Sequence, residues 1–503
     1  MDRGGQRAFD SFTGCGAARS RRSKKNSALL RQAEELIGQC ACGFSSRESF
    51  ARARRHIFSH LVCFGRHTIT GLLRNQDRAQ RDWTADYRLY SRDRVDGDKV
   101  FGRIRRVVED CSSPQDPLVV AMDDSILRKT GRKIHGSRYQ RDPLSPPFHV
   151  NLARGLRILQ ISAAVRQGDE GAARMIPVDF QHAALPEKPR KDAPAEAQAA
   201  YQLQRAASNI NLAGRERLAR LRRQMDEDGS RSRLLIATID GRFTNSTVLG
   251  RVPERTTLVG RVRKDSAFYH PPEARAGPGR RRKYGLRAPT PLELLKDSGH
   301  SSQSVQAYAA GRRYDFKVKT IGPVCSRMDK GLTALRLIVV EPVPYRSSKS
   351  GKLGRREPAF LICTDPAMPL EQVLQAYLWR WDIEVNFRDE KTILGVGQAQ
   401  VRSAASNQNA PALAVAAYAI LLLASIKTYG PEGRPDTLKS PRWYNRKPKQ
   451  RASTLELINQ LRLELWSSSI QSNFQRLSPQ PSLTHNPPNP DHPLHSALFL
   501  STM

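Results

Sequence analysis

Two short apolar runs constrain this chain most, because each one closes on an acid. They are P-L-V-V-A-M-D-D-S, Pro117 to Ser125, and R-L-L-I-A-T-I-D-G-R-F, Arg233 to Phe243. Runs of this length, rich in Val, Ile and Leu, read as buried strands. The first would deliver Asp123 or Asp124 to the edge of a sheet, and the second would deliver Asp240. The segments Leu156 to Val165 and Met175 to Phe180 look like neighbours of the first run. A long basic helix is expected from Glu196 to Asp226, then a short helix from Asn245 to Leu249 and a strand from Thr257 to Val262. Strands followed by alternating helix and strand describe a mixed α/β sheet. An acid that closes a strand is often only a turn or capping residue, so these aspartates need a third partner.

That partner lies in P-L-E-Q-V-L-Q-A-Y-L-W-R-W-D-I-E-V-N-F-R-D-E-K-T-I-L, Pro369 to Leu394. The stretch reads as one helix, with Pro369 at its first position and Gly395 and Gly397 offering a stop. At ~100° per residue, Leu374, Leu378, Trp381 and Val385 form an apolar stripe. Tyr377, Arg380, Glu384 and Lys391 then fall within an arc of roughly 60° beside it. Asp382, Asp389 and Glu390 point elsewhere. A lone glutamate on a helix usually faces water, but here it stands in a row with two cations and a phenol.

The spacing Tyr377-x2-Arg380-x3-Glu384-x6-Lys391 resembles the YREK signature of bacterial insertion-sequence transposases of the Asp-Asp-Glu class. The segments A-M-D-D-S, T-I-D-G-R-F-T-N-S-T-V-L and T-T-L-V-G-R-V-R-K-D are similar to the same enzymes, so the resemblance spans roughly Phe44 to Ser425. It implies an RNase H-like core, a β-rich insertion before the Glu-bearing helix, two catalytic metal ions and cleavage at transposon ends. The Asp-x-Ser/Thr pattern of that family favours Asp123, followed by Ser125, over Asp124. Relatives hold a flipped base against a Trp in the insertion. No Trp lies between Phe243 and Pro366 here, which leaves Phe268, Tyr269 and Tyr284 as candidate stacking residues.

The organisation follows. Residues 1–26 form a basic arm read as disordered, and 27–113 a helical, DNA-binding domain. Residues 114–264 form the first part of the catalytic core, 265–359 the β-rich insertion and 360–430 the second part with the Glu helix. Residues 431–503 hold a C-terminal helix, opened by the capping pattern Ser453-x-x-Glu456, and a Pro- and Ser-rich tail. The apolar stretch from Pro411 to Ile426 falls short of the ~18 residues expected of a membrane span and is read as a core helix.

In 503 residues the net charge is +35, with Lys and Arg spread along the whole chain. Such a field selects a polyanion and says nothing about sequence. Seven scattered cysteines do not make a disulfide framework and suit a reducing cytosol. Cys40-x-Cys42 with His56-x3-His60 imitates a zinc finger, but the cysteine gap is too tight. A cytoplasmic, nucleoid-associated protein is expected, without membrane or nucleotide cofactor.

Gathered carboxylates repel unless a cation compensates. Oxygen-only ligands suit Mg²⁺ or Mn²⁺. Asp123, Asp240 and Glu384 are therefore the expected catalytic and metal-binding residues, sharing two ions. Tyr377, Arg380 and Lys391 would grip the phosphates of double-stranded DNA. The expected activity is metal-dependent strand cleavage and transfer by a homodimer or larger assembly. A catalytically inactive DNA-binding relative, and a nuclease without strand transfer, are the alternatives.

Overall fold

The computed structural model describes residues 28–142, 149, 151–168, 171–273, 282–329, 334–346, 351–435 and 451–475. The basic arm and the Pro- and Ser-rich tail lie outside them. Among the described residues five α-helices come first: α1 (Ala28–Gln39), α2 (Arg47–Val62), α3 (Ile69–Asn75), α4 (Thr84–Ser91) and α5 (Gly97–Glu109). Their starts follow local chemistry, since Ser46, Thr68 and Asp96 each accept a backbone N–H from the first turn of the helix they precede. His56 is buried between Asp86 and Tyr90, so it is committed to the core of this bundle.

Strands β1 (Leu118–Arg128), β2 (Arg138–Arg141), β3 (Leu152–Gln167) and β4 (Ala172–His182) come next. The expected long basic helix is two helices, α6 (Ala195–Ala207) and α7 (Ile210–Glu227). They break where Asn209 turns extended and caps α7 with its own side chain. Then come β5 (Leu235–Ile239), α8 (Ser246–Leu249) and β6 (Thr256–Arg261). The following segment holds β7 (Phe268–Tyr269), β8 (Arg287–Ala288), α9 (Pro291–Lys296), β9 (Gln303–Ala309), β10 (Arg312–Ser326), β11 (Leu335–Val340), β12 (Pro344–Arg346) and β13 (Leu353–Arg355). The chain returns through β14 (Ala359–Cys363) and ends on α10 (Leu370–Trp379), α11 (Asp382–Thr392), α12 (Ala404–Tyr429) and α13 (Thr454–Gln475).

Among the described residues, one mixed sheet carries the order β2-β3-β1-β5-β6-β14-β11-β10-β7-β8, with β4 on β3 and β9 on β10. The β1–β5 and β5–β6 pairs are parallel, whereas β14 runs antiparallel to β6. The segment between β6 and β14 thus extends the same sheet. Helix α10 covers one face, where Leu370, Val373 and Leu374 meet Val119 and Ile236. Helix α7 covers the other, where Gly214 lies against Met122 and Phe243.

From Asn409 to Ile426 helix α12 is buried throughout, which is how so apolar a helix survives in water. By length and composition it could cross a membrane, but here it packs on α1, α2, α5 and β4. The capping box before α13 forms reciprocally, between Ser453 and Glu456.

Candidate active site

The acids meet through sheet register. Met122 of β1 pairs with Ile239 of β5, and the next residues in the two parallel strands are Asp123 and Asp240. Neighbouring parallel strands lie ~4.8 Å apart and matched positions share a face. Val119 and Ile236, also matched, belong to the apolar cluster under α10, so by alternation Asp123 and Asp240 point to that same face.

Asp123 does not end its strand, contrary to the sequence reading. Only the parallel partner ends there, while the antiparallel β3 pairs onward to Arg128. Alternation also separates the aspartate doublet. Asp124 faces the opposite side, where its carboxylate accepts from Arg157 Nε at 2.8 Å and Arg242 Nη1 at 3.4 Å. Asp240 keeps a turn role as well, since its Oδ1 accepts the backbone N–H groups of Arg242 and Phe243.

The stretch expected to be a single helix is two. At the junction Arg380 and Trp381 keep helical dihedrals, but the N–H groups of Arg380, Trp381, Ile383 and Glu384 each bond three residues back. That tighter winding advances the helix phase. Ties on both sides hold it. Trp379 Nε1 donates to Gly171 O at 2.8 Å, and Asp382 accepts the Met175 N–H at 2.8 Å and Arg451 at 3.0 Å. Consequently the expected apolar stripe fails at Trp381, which is 64% exposed, and Ile383 and Phe387 are buried instead. Pro369 is the residue before the first turn, not in it. The stop forms as expected, with Gly395 at φ +59° and Gly397 at φ +100°, values that disfavour any side chain.

Arg380 is the hub of the site. Its Nη1 lies 3.3 Å from Asp123 Oδ2 and its Nη2 lies 3.3 Å from Glu384 Oε1. Its guanidinium stands 5.6 Å from the Tyr377 ring centroid. Burial works against its charge, yet Tyr377, Asp123, Glu384 and Asp240 together hold it more firmly protonated than usual. Lys391 Nζ donates to Ser125 Oγ at 2.5 Å, on the same face as Asp123, and burial lowers its pKa.

Asp123 is pushed up to about 7, first by burial and then by the nearby Asp240 charge. Such a pair has too little positive charge around it, which suits a hard cation. Among the described residues no three His, Cys, Asp or Glu side chains stand close enough to hold an ion together. Glu384 reaches Asp123 only through Arg380, which supplies the counter-charge between them. The expected three-acid metal cluster is therefore not formed in this arrangement, and Arg380 lies between Asp123 and Glu384 where a cation was expected.

Sequence reasoning missed several groups. Glu390 is buried and accepts from Gln160 Nε2 at 2.9 Å, and Gln160 is the residue opposite Asp123 in β3. Asn386 joins this layer by donating to Ser162 and the Met175 carbonyl. Of the three stacking candidates, Phe268 is buried, while Tyr269 and Tyr284 pair with ring centroids 5.1 Å apart and Arg327 beside them. Only the helix phase after the junction could have revealed Glu390, and that phase is set by tertiary contacts.

Residues 40–320 match the family model described as DDE superfamily endonuclease. The matched span contains Asp123 and Asp240 and ends before Glu384. No curated protein matches the chain.

Proposed function

The chain belongs to the DDE superfamily of endonucleases, and from that premise we propose that it is an insertion-sequence DNA transposase whose catalytic acids are Asp123, Asp240 and Glu384. The family carries nuclease- or transposase-type chemistry on DNA, with a large mixed sheet flanked by helices consistent with an RNase H-like fold. Its members typically use divalent metals. The observation that carries the finer reading is the Arg380 bridge from Asp123 to Glu384, beside Asp240.

Asp123, Asp240 and Glu384 are the residues that would hold Mg²⁺ or Mn²⁺, and a bound ion would supply activation of a water or 3′-hydroxyl and stabilisation of the leaving oxygen. Arg380 would offer its two Nη groups to two oxygens of the scissile phosphate, a planar two-pronged contact that Lys could not reproduce. Tyr377 supports the guanidinium with its ring face. Lys391, already directed at Ser125, sets a second cation beside the scissile phosphate. Asp124 stays paired with Arg157 and takes no part.

The expected reaction is cleavage at element ends followed by joining of 3′ ends to target DNA, in a homodimer or larger assembly. The test uses DNA carrying the sequences that flank the gene on both sides. Glu384→Gln should leave its binding intact and abolish Mg²⁺-dependent cleavage. Cleavage surviving that change argues against the assignment, and cleavage without end joining reduces the protein to a nuclease of this fold.

A further inference from the structure

Helix α11 turns a mixed face towards the sheet. Ile383 and Phe387 are apolar there, but Asn386 and Glu390, one turn apart, are buried with them. Burying an amide and a carboxyl is costly unless each is partnered. Strand β3 provides the partners. Gln160 Nε2 donates to Glu390 Oε1 at 2.9 Å and to Ser162 Oγ at 3.3 Å. Asn386 Nδ2 donates to Ser162 Oγ at 3.2 Å and to the Met175 carbonyl at 3.0 Å. From the buried helix α12, the Tyr418 hydroxyl closes the layer by donating to Asn386 Oδ1 at 3.3 Å. Burial raises Glu390 to about 8, so its carboxyl carries a proton at neutral pH. Gln160 Oε1 is buried without a donor among the described residues, and that proton is the one an acid–amide pair can offer it.

The spacing of the layer matters as much as its bonds. Asn386 and Glu390 stand ~6 Å apart along the helix axis. Ser162 and Gln160, alternate residues of one strand, stand ~6.7 Å apart. Two polar pairs at matched spacing meet in one rotation and one register. Apolar side chains would accept a helix turned or slid by a residue, whereas these groups would then be buried unpaired. Buried polar residues fix register between packed helices for the same reason. The register chosen here serves the acids. Gln160 lies directly opposite Asp123 in the β1–β3 pair, and Ser162 opposite Ala121, and opposite residues share a face. On α11, Glu384 and Lys391 share the flank roughly 130° round from the polar pair. From that flank Glu384 reaches Arg380, and Lys391 reaches Ser125, two residues beyond Asp123. A slip of one residue would turn the flank by ~100°, away from Asp123.

We propose that Gln160, Ser162, Asn386 and Glu390 are positioning residues, a buried two-point lock that sets the rotation of α11 and thereby aims Glu384 and Lys391 at Asp123. The lock rests on the proposed function only for the task of the two residues that it aims.

The test compares full-length variants by three readings: single-turnover nicking with Mg²⁺, duplex affinity in EDTA, and backbone hydrogen exchange of α11. Gln160→Met combined with Glu390→Met removes one polar pair and leaves apolar groups of similar size. Removing both partners together is close to neutral for stability, so the Tm should hold. Nicking should fall about ten- to a hundredfold with little change in affinity, and the α11 amides should exchange about tenfold faster. Ser162→Ala combined with Asn386→Leu should behave alike. Glu390→Gln alone keeps an amide in the pair and should retain most of the wild-type rate. Wild-type nicking, or unchanged α11 exchange, in both paired variants overturns the lock. So does a large fall in Tm in both, because the layer would then support the fold rather than the aim. A wild type that never nicks sinks the enzyme assignment, and the exchange reading then decides the lock by itself.

Discussion

At the residue scale, the aspartate doublet is where a one-position difference decides chemistry. Adjacent strand residues face opposite sides, so Asp123 joins Asp240 and Arg380 while Asp124 is spent on Arg157. Asp123→Asn should abolish cleavage. Asp124→Asn should keep it while lowering stability by about 1 to 3 kcal/mol through the half-satisfied Arg157, as read by thermal unfolding. Glu390 carries a separate prediction. Burial, against the opposing pull of Gln160 and Lys391, raises it to about 8 from an ordinary 4.5. The folded state therefore keeps this proton where the unfolded chain loses it. Its contribution is fully present below pH 4.5 and is lost as pH climbs towards 8, a swing on the order of 5 kcal/mol. Glu390→Gln should remove that slope, so the Tm advantage of the variant should grow between pH 5 and 8.5. Parallel curves would show that Glu390 ionises normally in the fold.

At the scale of elements, Asp240 just past the end of its strand was legible in the sequence, whereas Asp123 lies inside β1 because the antiparallel partner carries the strand on to Arg128. The turn at Asp240 and the short helix after it could be read as well. The junction between α10 and α11 could not. Nothing in Trp379-Arg380-Trp381 breaks a helix locally. The winding tightens because Gly171, Met175 and Arg451, all distant in sequence, tie down its two sides. The periodicity of one straight helix therefore misplaces Trp381 and Glu390, although Glu384 and Lys391 stay on the Asp123 side. The same ties make Arg451 a positioning residue for Glu384, acting through Asp382. Arg451→Ala should slow single-turnover cleavage by about ten- to a hundredfold with little change in DNA affinity. Arg451→Lys should recover part of the rate. Equal losses of rate and affinity would mean the variant has merely unfolded this region.

For the molecule as a whole, charge and topology divide the work. A net charge of +35 draws any nucleic acid to the surface, and in the proposed reading Asp123 and Asp240 mark where it would be cut. The composition made the first part plain, whereas the second needed coordinates, since the acids lie far apart along the chain and meet only through the β1–β5 register and the α11 phase. Binding to unrelated DNA should therefore weaken steeply with salt and be unaffected by Asp240→Asn. The most direct measurement is single-turnover nicking of a supercoiled plasmid carrying the flanking sequences, with Mg²⁺, by Asp123→Asn, Asp240→Asn, Glu384→Gln and the triple variant. Groups acting as one unit are not additive, so each single change should cost about as much as all three together. Any one of them cutting at the wild-type rate would contradict a shared three-acid centre.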